Sequence, residues 1–437
     1  MSRKIESPRT KVRGIFHERK MSIIGVRSLT PQQAAGNALA IYVQGEKGIA
    51  LVTVILMLAV LLVLGVIAVN LTNVGTKITS NTKTSKQAFY LAEAGIERAR
   101  ELLRTRLVGG GTLSQELNSV KGANGILTDS TNVSNFSTTD DSPYVNSTSL
   151  GSGSYRVYLT NDAVDGVTSI TDNNGIVTLT SFGYGPDNSQ AIVQATVQKG
   201  GGIPPLPGAI TMPGPHVSFD GGSSNASTYS GDATHPAIVV NSADARTDVI
   251  NGIPINRRDN YTGGGLSSPS VVNMVIPDPW GNLSQLQDLY TNLKSMADFS
   301  SPSNPGFTLG TTAFPKIVVI DDNYTVSGGT TGAGILLVTG NLTLNGNISY
   351  DGMVLVVGKG NLIRGGGGNG TITGGIFVAD IAGEDRNINT TGDNTWRNPS
   401  WITSGGGTSD IDYVTASESN ALNIIPFKKL TWKQIGL

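Results

Sequence analysis

The sequence predicts an α+β module, made of a long N-terminal helix and a small antiparallel sheet, followed by an all-β parallel β-solenoid. Three observations lead to this prediction. An uncharged apolar run covers positions 49–69. Short segments of alternating apolar and polar residues lie between positions 155 and 197. A repeat of constant spacing then recurs in the second half of the 437-residue chain.

Residues 49–69 are predicted to cross a membrane as one helix. At 1.5 Å per residue, such a helix spans about 30 Å, the thickness of the hydrocarbon core of a bilayer. Nine of the 31 Lys and Arg residues but only three of the 32 Asp and Glu residues precede this run. The basic flank predicts that the N-terminus stays cytoplasmic and that the C-terminal bulk of the chain is exported.

The helix is predicted to continue to residue 107, because apolar residues recur at steps of three and four and three glycines follow at 109–111. The apolar face consists of Phe89, Ala92, Ile96, Ala99 and Leu103. A Thr- and Asn-rich stretch after Val69 is its weakest helix-forming part. Residues 49–107 are therefore predicted to form one long helix.

The start of this helix resembles that of the PilX-type minor pilins. Gly48 stands directly before the apolar run, as in the class III signal that is cleaved in type IV prepilins. The run Ala-Glu-Ala-Gly-Ile-Glu at 92–97 is the most specific part of the resemblance, which covers about residues 45–107. The helix residues that carry the motif are Thr53, Ala92, Glu93, Ala94, Gly95 and Glu97.

The resemblance implies how the chain is processed and assembled. A prepilin peptidase would cut between Gly48 and Ile49 and methylate the new amino group of Ile49. Residues 1–48 would be the leader peptide, with Met21 as an alternative start. Thr53 departs from the pattern of the major pilins, which usually carry Glu at the fifth mature position. The mature helix is expected to pack against the helices of other major and minor pilins. The resemblance also implies that the chain lies in the inner membrane before assembly and afterwards in the periplasm or at the cell surface, in a pilus.

Residues 108–199 are predicted to form the β-meander head of this α+β pilin-like module. Alternation marks strands at 155–159, 175–182 and 191–197, with turns rich in Asn, Asp and Gly between them. Residues 109–152 are expected to be loops. A Gly/Pro linker at 200–208 ends the module.

Residues 209–437 are predicted to form the β-solenoid (β-helix) domain. The apolar segments that begin at Ile317, Ile335 and Met353 are 18 residues apart, and the apolar positions Val326, Leu344 and Leu362 have the same spacing. One further apolar segment follows at 376–379. Strand pairs at a fixed period, separated by Gly or Asn turns, indicate stacked repeats. The predicted core positions are Ile317, Val326, Ile335, Leu344, Met353, Leu362 and Ile376.

Two segments of this domain are assigned separately. An insertion is predicted at about 233–313, with one helix at 282–298 whose apolar face is expected to pack on the solenoid. An early partial copy of the repeat precedes it at 209–221. Residues 411–437 are predicted to close the end of the solenoid, with Phe427 and Trp432 covering it.

The composition argues against several classes of function. The absence of Cys excludes disulfides, Cys-ligated zinc and thiol catalysis, and with three scattered His residues no metal or other cofactor is expected. A net charge of −1 argues against nucleic acid as a partner. The segment 352–360 resembles a P-loop only superficially, and aspartates such as Asp351 and Asp380 suit turns. No enzymatic activity is predicted.

The sequence thus predicts a minor pilin-like structural subunit in type IV pilus assembly, at the filament tip or in the priming complex. Its solenoid would be displayed as a head. Two alternatives remain open. The chain could be a type II secretion pseudopilin, which uses the same helix. It could also be a surface adhesin or carbohydrate-binding protein carried on a pilin helix, with a surface or glycan ligand bound by residues 209–437.

Overall fold

The structure, a computed structural model, describes residues 46–108, 110–137, 141–365, 369–381, 388 and 395–435. The predicted leader lies outside the described residues as far as position 45. Two compact units divide between Val74 and Gly75, and each is described by itself. A long apolar N-terminal helix is followed in the chain by a mostly β region.

The described residues form α-helices and short to medium β-strands. The α-helices are α1 (Glu46–Val108), α2 (Leu113–Val120), α3 (Ala243–Gly252), α4 (Leu283–Ser295) and α5 (Thr415–Asn423). The strands are β1 (Val145–Leu150), β2 (Gly153–Asn161), β3 (Ile176–Tyr184), β4 (Gln190–Gln198), β5 (Ile210–Met212), β6 (Ser218–Asp220), β7 (Tyr229–Ser230), β8 (Ile238–Val240), β9 (Tyr261–Thr262), β10 (Val271–Asn273), β11 (Lys316–Ile320), β12 (Tyr324–Ser327), β13 (Thr330–Val338), β14 (Asn341–Asn345), β15 (Ile348–Gly358), β16 (Asn361–Gly365), β17 (Gly370–Asp380), β18 (Ser400–Thr403), β19 (Ser409–Asp412) and β20 (Lys428–Ile435).

The first unit contains the N-terminal part of α1. Its apolar side chains are exposed, as Leu56 (65%) and Leu62 (69%) illustrate. Among the described residues, α1 is the one helix that is long and apolar enough to cross a membrane, with a mean hydropathy of 3.2 over its most apolar window. An exposed apolar surface of this length suits lipid rather than water.

The Thr-rich stretch of α1 is helical in spite of its weak propensity. Within the second unit, the Thr79 hydroxyl donates to the Gly75 carbonyl oxygen at 2.9 Å, and the Thr82 hydroxyl donates to the Ile78 carbonyl oxygen at 2.8 Å. Each hydroxyl is thereby satisfied one turn back along the helix.

The second unit contains a five-stranded antiparallel sheet in the order β1-β2-β3-β4-β20. The predicted meander is present as β2, β3 and β4, which pair in antiparallel register. The C-terminal part of α1 and the helix α2 cover one face of this sheet, and their buried residues share one core with it.

Residues 109–152, expected to be loops, include a helix and a strand. The helix α2 begins after Thr112, whose side chain accepts a hydrogen bond from the Gln115 backbone N–H, while the Gln115 side chain accepts one from the Thr112 N–H. This reciprocal arrangement is a capping box, and it stabilises a short helix. The strand β1 forms one edge of the sheet.

The C-terminal strand belongs to this sheet and not to an end of the parallel strands. β20 pairs with β4, with Trp432 opposite Ala195, and Phe427 is buried in the core beneath α1. The prediction that Phe427 and Trp432 cover the end of the solenoid is therefore wrong, whereas β19 and α5 remain with the parallel strands. β20 instead pairs the backbone edge of β4, which would otherwise be open.

Between β4 and β20 the chain forms three rows of parallel strands, called here the parallel part (residues 204–425). The first row has the order β10-β8-β5-β17-β15-β13-β11, and the second has the order β12-β14-β16-β18-β6. The third runs through the N-terminal halves of β13, β15 and β17 and continues through β19, β7 and β9. The rows enclose one core, so the parallel arrangement is nearly closed.

The constant spacing in the sequence corresponds to paired strands in the first repeats. Ile317 lies opposite Ile335, Ile335 lies opposite Met353, and Val326 lies opposite Leu344. All five side chains are buried. The spacing thus reports the length of one turn around the parallel rows.

The second row departs from the predicted register in its next turn. Leu362 lies opposite Leu342, whereas Leu344 lies opposite Arg364. Val338 and Val356 lie opposite each other in the first row. The chain from Val356 to Leu362 is longer than the chain from Val338 to Leu342. The predicted alignment of Leu362 with Leu344 is wrong for this reason, although Leu362 is buried in the enclosed core.

In the first row, three of the predicted core residues face a different core from the one that the rows enclose. Ile317, Ile335 and Met353 belong to an outer core covered by α4 and α5, not to the enclosed core. Ile376 lies opposite Val354 and belongs to the enclosed core. Strands buried on both faces are apolar throughout, and a shift of one residue exchanges the two faces, so the sequence pattern could not distinguish them.

The early partial copy lies next to the last repeat in space. β5 pairs with β17, with Ile210 opposite Ile376, and β8 and β10 extend the row further. Residues 233–313 therefore supply strands and the helix α3, so the prediction of a separate insertion is wrong in part. The predicted helix is present as α4, which leads to the opposite end of the row at β11, and its leucines pack on the outer face as expected.

Candidate functional site

The predicted processing residues lie at the N-terminal end of α1. The helix begins at Glu46, so Gly48 and Ile49 fall in its first turn. The exposed Thr53 follows one turn later, and its hydroxyl donates to the Ala50 carbonyl oxygen at 2.9 Å. At this point α1 therefore presents an uncharged side chain whose hydroxyl bonds within the helix.

The small residues of the helix motif lie where α1 touches the antiparallel sheet. Ala92 is fully buried. A Cβ atom added to Gly183 of β3 would stand 2.5 Å from the backbone nitrogen of Ala92 and 2.1 Å from the carbonyl oxygen of Ala88. A Cβ atom added to Gly95 would stand 2.3 Å from the Ser181 hydroxyl oxygen. Small residues on both elements therefore allow the close approach of helix and sheet.

Glu97 connects α1 to the C-terminal strand. Its carboxylate lies 2.5 Å from Arg100 Nη1 and 2.5 Å from Lys429 Nζ, and Arg100 also donates to the Phe427 carbonyl oxygen. Burial acts to raise the pKa of Glu97, but the hydrogen bond from Lys429 and the charge of Arg100 outweigh it, so the pKa lies below its usual value. The polar residue of the motif thus fixes β20 to the helix.

Sequence analysis did not find this connection. Arg100 and Phe427 are 327 positions apart, and no local pattern relates them. The other motif residues are less involved, since Ala94 packs at the margin of the same core and Glu93 is half-buried.

An aromatic patch lies at the N-terminal side of this contact and consists of Phe89, Tyr90 and Trp432. Tyr90 is 61% exposed and Trp432 is 43% exposed. The ring of Phe89 lies 5.7 Å from each of the two, centroid to centroid. Ile78 is exposed on the same helix as well, so apolar and aromatic side chains are open to solvent along this part of α1.

In the parallel part, the P-loop-like segment belongs to the strand region, and the two candidate aspartates lie far apart. The P-loop-like segment lies in β15 and is followed by the strand β16, not by a helix. Asp351 lies opposite Thr373 and Asp380 opposite Gly358, seven positions apart along β17. Paired glycosidase carboxylates stand about 5–9.5 Å apart, so these two do not form such a pair. Within the described ranges, no group of three or more His, Asp or Glu could hold a metal.

A buried carboxyl group joins the linker to the parallel part. Glu418 of α5 is fully buried, and its Oε2 accepts hydrogen bonds from the Leu206 N–H at 2.9 Å and from the Tyr413 hydroxyl at 3.2 Å. A Cβ atom added to Gly375 would stand 2.0 Å from Glu418 Oε1. Burial raises the pKa of Glu418 to about 8. The predicted linker is therefore packed, not free.

These features define a class of protein. A membrane-length apolar segment opens a helix whose later part packs on an antiparallel sheet, as in a membrane-anchored pilin. Residues 47–97 match the family model of the PilX N-terminal domain. This part of α1 is thus similar to the PilX N-terminal domain, as the helix motif predicted.

A solved structure offers a further comparison. The crystal structure of the competence-associated pilin ComZ from Thermus thermophilus matches with 13% sequence identity, and the match covers 80% of this chain and 97% of that chain. Its TM-score is 0.22, which is too low to support an argument about the fold. No curated protein matches the chain.

Proposed function

We propose that this chain is a minor pilin-like structural subunit that enters a type IV pilus or its priming complex through α1. The observation that carries the proposal is the apolar, exposed first part of this helix, which lies within the stretch that matches the PilX N-terminal domain. Before assembly, the same segment would hold the subunit in the inner membrane, with its N-terminus in the cytoplasm. Its function would be assembly and display, not catalysis.

The proposal includes processing by a prepilin peptidase between Gly48 and Ile49. Mass spectrometry of the mature protein should then identify N-methylisoleucine at Ile49, and Gly48→Val should leave the leader attached. Gly65→Val is the matched control, because nothing lies within 4 Å of a Cβ atom at Gly65, and this variant should be cut normally. An uncut wild-type chain, or a mature N-terminus elsewhere, would contradict the proposal.

A low copy number at the filament tip or in the priming complex is the finer part of the proposal. The fifth mature residue is Thr53, whose hydroxyl bonds within its own helix. It cannot neutralise the amino terminus of a neighbouring subunit, and an unpaired charge in an apolar bundle is costly. Such a subunit suits a position with one unpaired docking face better than repeated addition along a shaft.

The parallel part would be the displayed head. We propose that its three rows are the faces of a β-solenoid, which the parallel pairing of successive turns supports. A surface or glycan ligand would be bound there. A type II secretion pseudopilin would be processed in the same way, so the phenotype of a deletion separates the two: loss of pili supports the proposal, and loss of secretion with normal pili contradicts it.

A further inference from the structure

Arg364 is a charged residue on the inward face of the second row. It lies opposite Leu344 on one side and Thr403 on the other, and only 6% of its surface is exposed. Its Nη1 atom is buried and has no hydrogen-bond partner among the described residues. A guanidinium that is buried without a partner is strongly destabilising, so its environment requires an acceptor.

Two tyrosines of the third row share this environment. Tyr229 and Tyr261 lie opposite each other in β7 and β9, with their rings stacked 4.5 Å apart and each only 1% exposed. Both interact electrostatically with Arg364. Their hydroxyl oxygens are buried and, in the part of the chain that the structure describes, neither has a hydrogen-bond partner outside this pair.

All three groups are hydrogen-bond donors at neutral pH. An arginine side chain has no acceptor atoms and keeps its proton. Burial, with Tyr229 alongside, raises the pKa of Tyr261 well above its usual value, so this hydroxyl stays protonated. The charged neighbour Asp410 acts on Arg364 only through its charge. It accepts no hydrogen bond from Arg364 Nη1 among the described residues, and its Oδ1 accepts from the Thr228 N–H and hydroxyl, both at 2.9 Å.

We propose that Arg364 and the hydroxyls of Tyr229 and Tyr261 bind a small monovalent anion, of the size of chloride, inside the parallel part. A single anion can accept hydrogen bonds from all three donors and neutralise the guanidinium. It would connect the second row to the third, since the arginine lies in β16 and the tyrosines lie in β7 and β9. This inference concerns stability of the parallel part and is independent of processing or of position in a filament.

The test measures the thermal unfolding midpoint of the full chain in detergent, in sodium chloride and in sodium gluconate at equal ionic strength. A ligand that binds only the folded state raises the midpoint as its concentration rises, so chloride should stabilise the protein and the bulky gluconate should not. Tyr229→Phe should raise the half-saturating chloride concentration several-fold, and Arg364→Met should abolish the response. Arg246→Met, which removes an exposed arginine of the same part, should keep it.

Two results of the unfolding series would overturn the proposal. One is a wild-type midpoint that depends on ionic strength but not on which anion is present. The other is an unchanged chloride response in Tyr229→Phe, which decides the question even if Arg364→Met fails to fold. Crystals of the full chain grown in sodium bromide give an independent readout: an anomalous peak within hydrogen-bond distance of Arg364 Nη1 supports the site, and its absence contradicts it.

Discussion

Glu418 shows how one buried residue links two segments of the chain. Its carboxyl group accepts hydrogen bonds from the Leu206 N–H and the Tyr413 hydroxyl. Gly375, which has no side chain, leaves room for the carboxyl group. Because the second oxygen, Oε1, is buried without a partner among the described residues, the neutral form suits this place better than the ionised form.

The raised pKa of Glu418 predicts a pH-dependent stability. Between about pH 4.5 and 8 the unfolded chain releases this proton while the folded chain keeps it, so the free energy of unfolding falls as the pH rises through this window, by up to about 1.4 kcal/mol per pH unit. Glu418→Gln should remove this contribution. Urea unfolding at pH 5, 6.5 and 8 should show the variant gaining on the wild type as the pH rises.

The exposed Glu101, which pairs with Arg104, supplies the control. Its pKa lies below the usual value, so Glu101→Gln should not gain on the wild type in the same series. A constant difference between Glu418→Gln and the wild type from pH 5 to pH 8 would contradict the account of the buried carboxyl group.

Gly183 is the second residue whose substitution should change stability. Backbone atoms of α1 occupy the space where a side chain at this position would lie. Gly183→Ala should force α1 and β3 apart and lower the free energy of unfolding by about 1–3 kcal/mol. Gly75→Ala meets nothing within 4 Å and should stabilise the exposed helix by up to about 1 kcal/mol. Chemical denaturation of both variants measures the contrast, and equal effects would contradict the packing.

At the scale of elements, the second row gives a direct test of side-chain facing. Leu344 is buried in the enclosed core, whereas its neighbour Thr343 lies on the other face and is partly exposed. Leu344→Asp should cost several kcal/mol, because it buries an unpaired charge. Thr343→Asp should cost little. Thermal melting of the two full-length variants should differ clearly, and similar midpoints would show that the assigned facing is wrong.

The elements also show what the sequence could reveal. α1 and the meander of β2 to β4 follow from local periodicity, and the constant spacing of the first repeats follows from apolar segments of similar length. The pairing of β20 with β4 brings together Thr431 and Thr196, which are 235 positions apart, so no local pattern carries it. The sequence pattern does not reveal that Arg364 faces the enclosed core, because the longer path of the chain before β16 shifts the register there and brings Arg364 opposite Leu344.

At the scale of the whole molecule, the chain leaves the antiparallel sheet after β4 and returns to it at β20, the strand that pairs with β4. The parallel part is therefore attached at both ends to the same sheet, and is not a domain appended to the C-terminus. Gly200 and Gly201 adopt positive φ angles of 61° and 65° at the exit, a conformation that favours glycine. The buried Leu206 and Glu418 hold the exit segment against the parallel part.

This double attachment bears on how the subunit fits into a filament. A head fixed to the sheet at two neighbouring strands has little freedom to move aside, so a bulky parallel part would obstruct neighbours if it were repeated along a shaft. The same reasoning favours a low copy number, as does the uncharged Thr53. Deletion of the subunit is then expected to reduce the number of pili more than it alters the shaft.

The most direct test of the proposed function is the position and number of this subunit in isolated filaments. Immunogold labelling of the parallel part, with the ratio to the major pilin measured by quantitative mass spectrometry, reports both. The account predicts label at filament ends only, and a ratio far below one. Label spaced evenly along the shaft, or a ratio close to one, would contradict it.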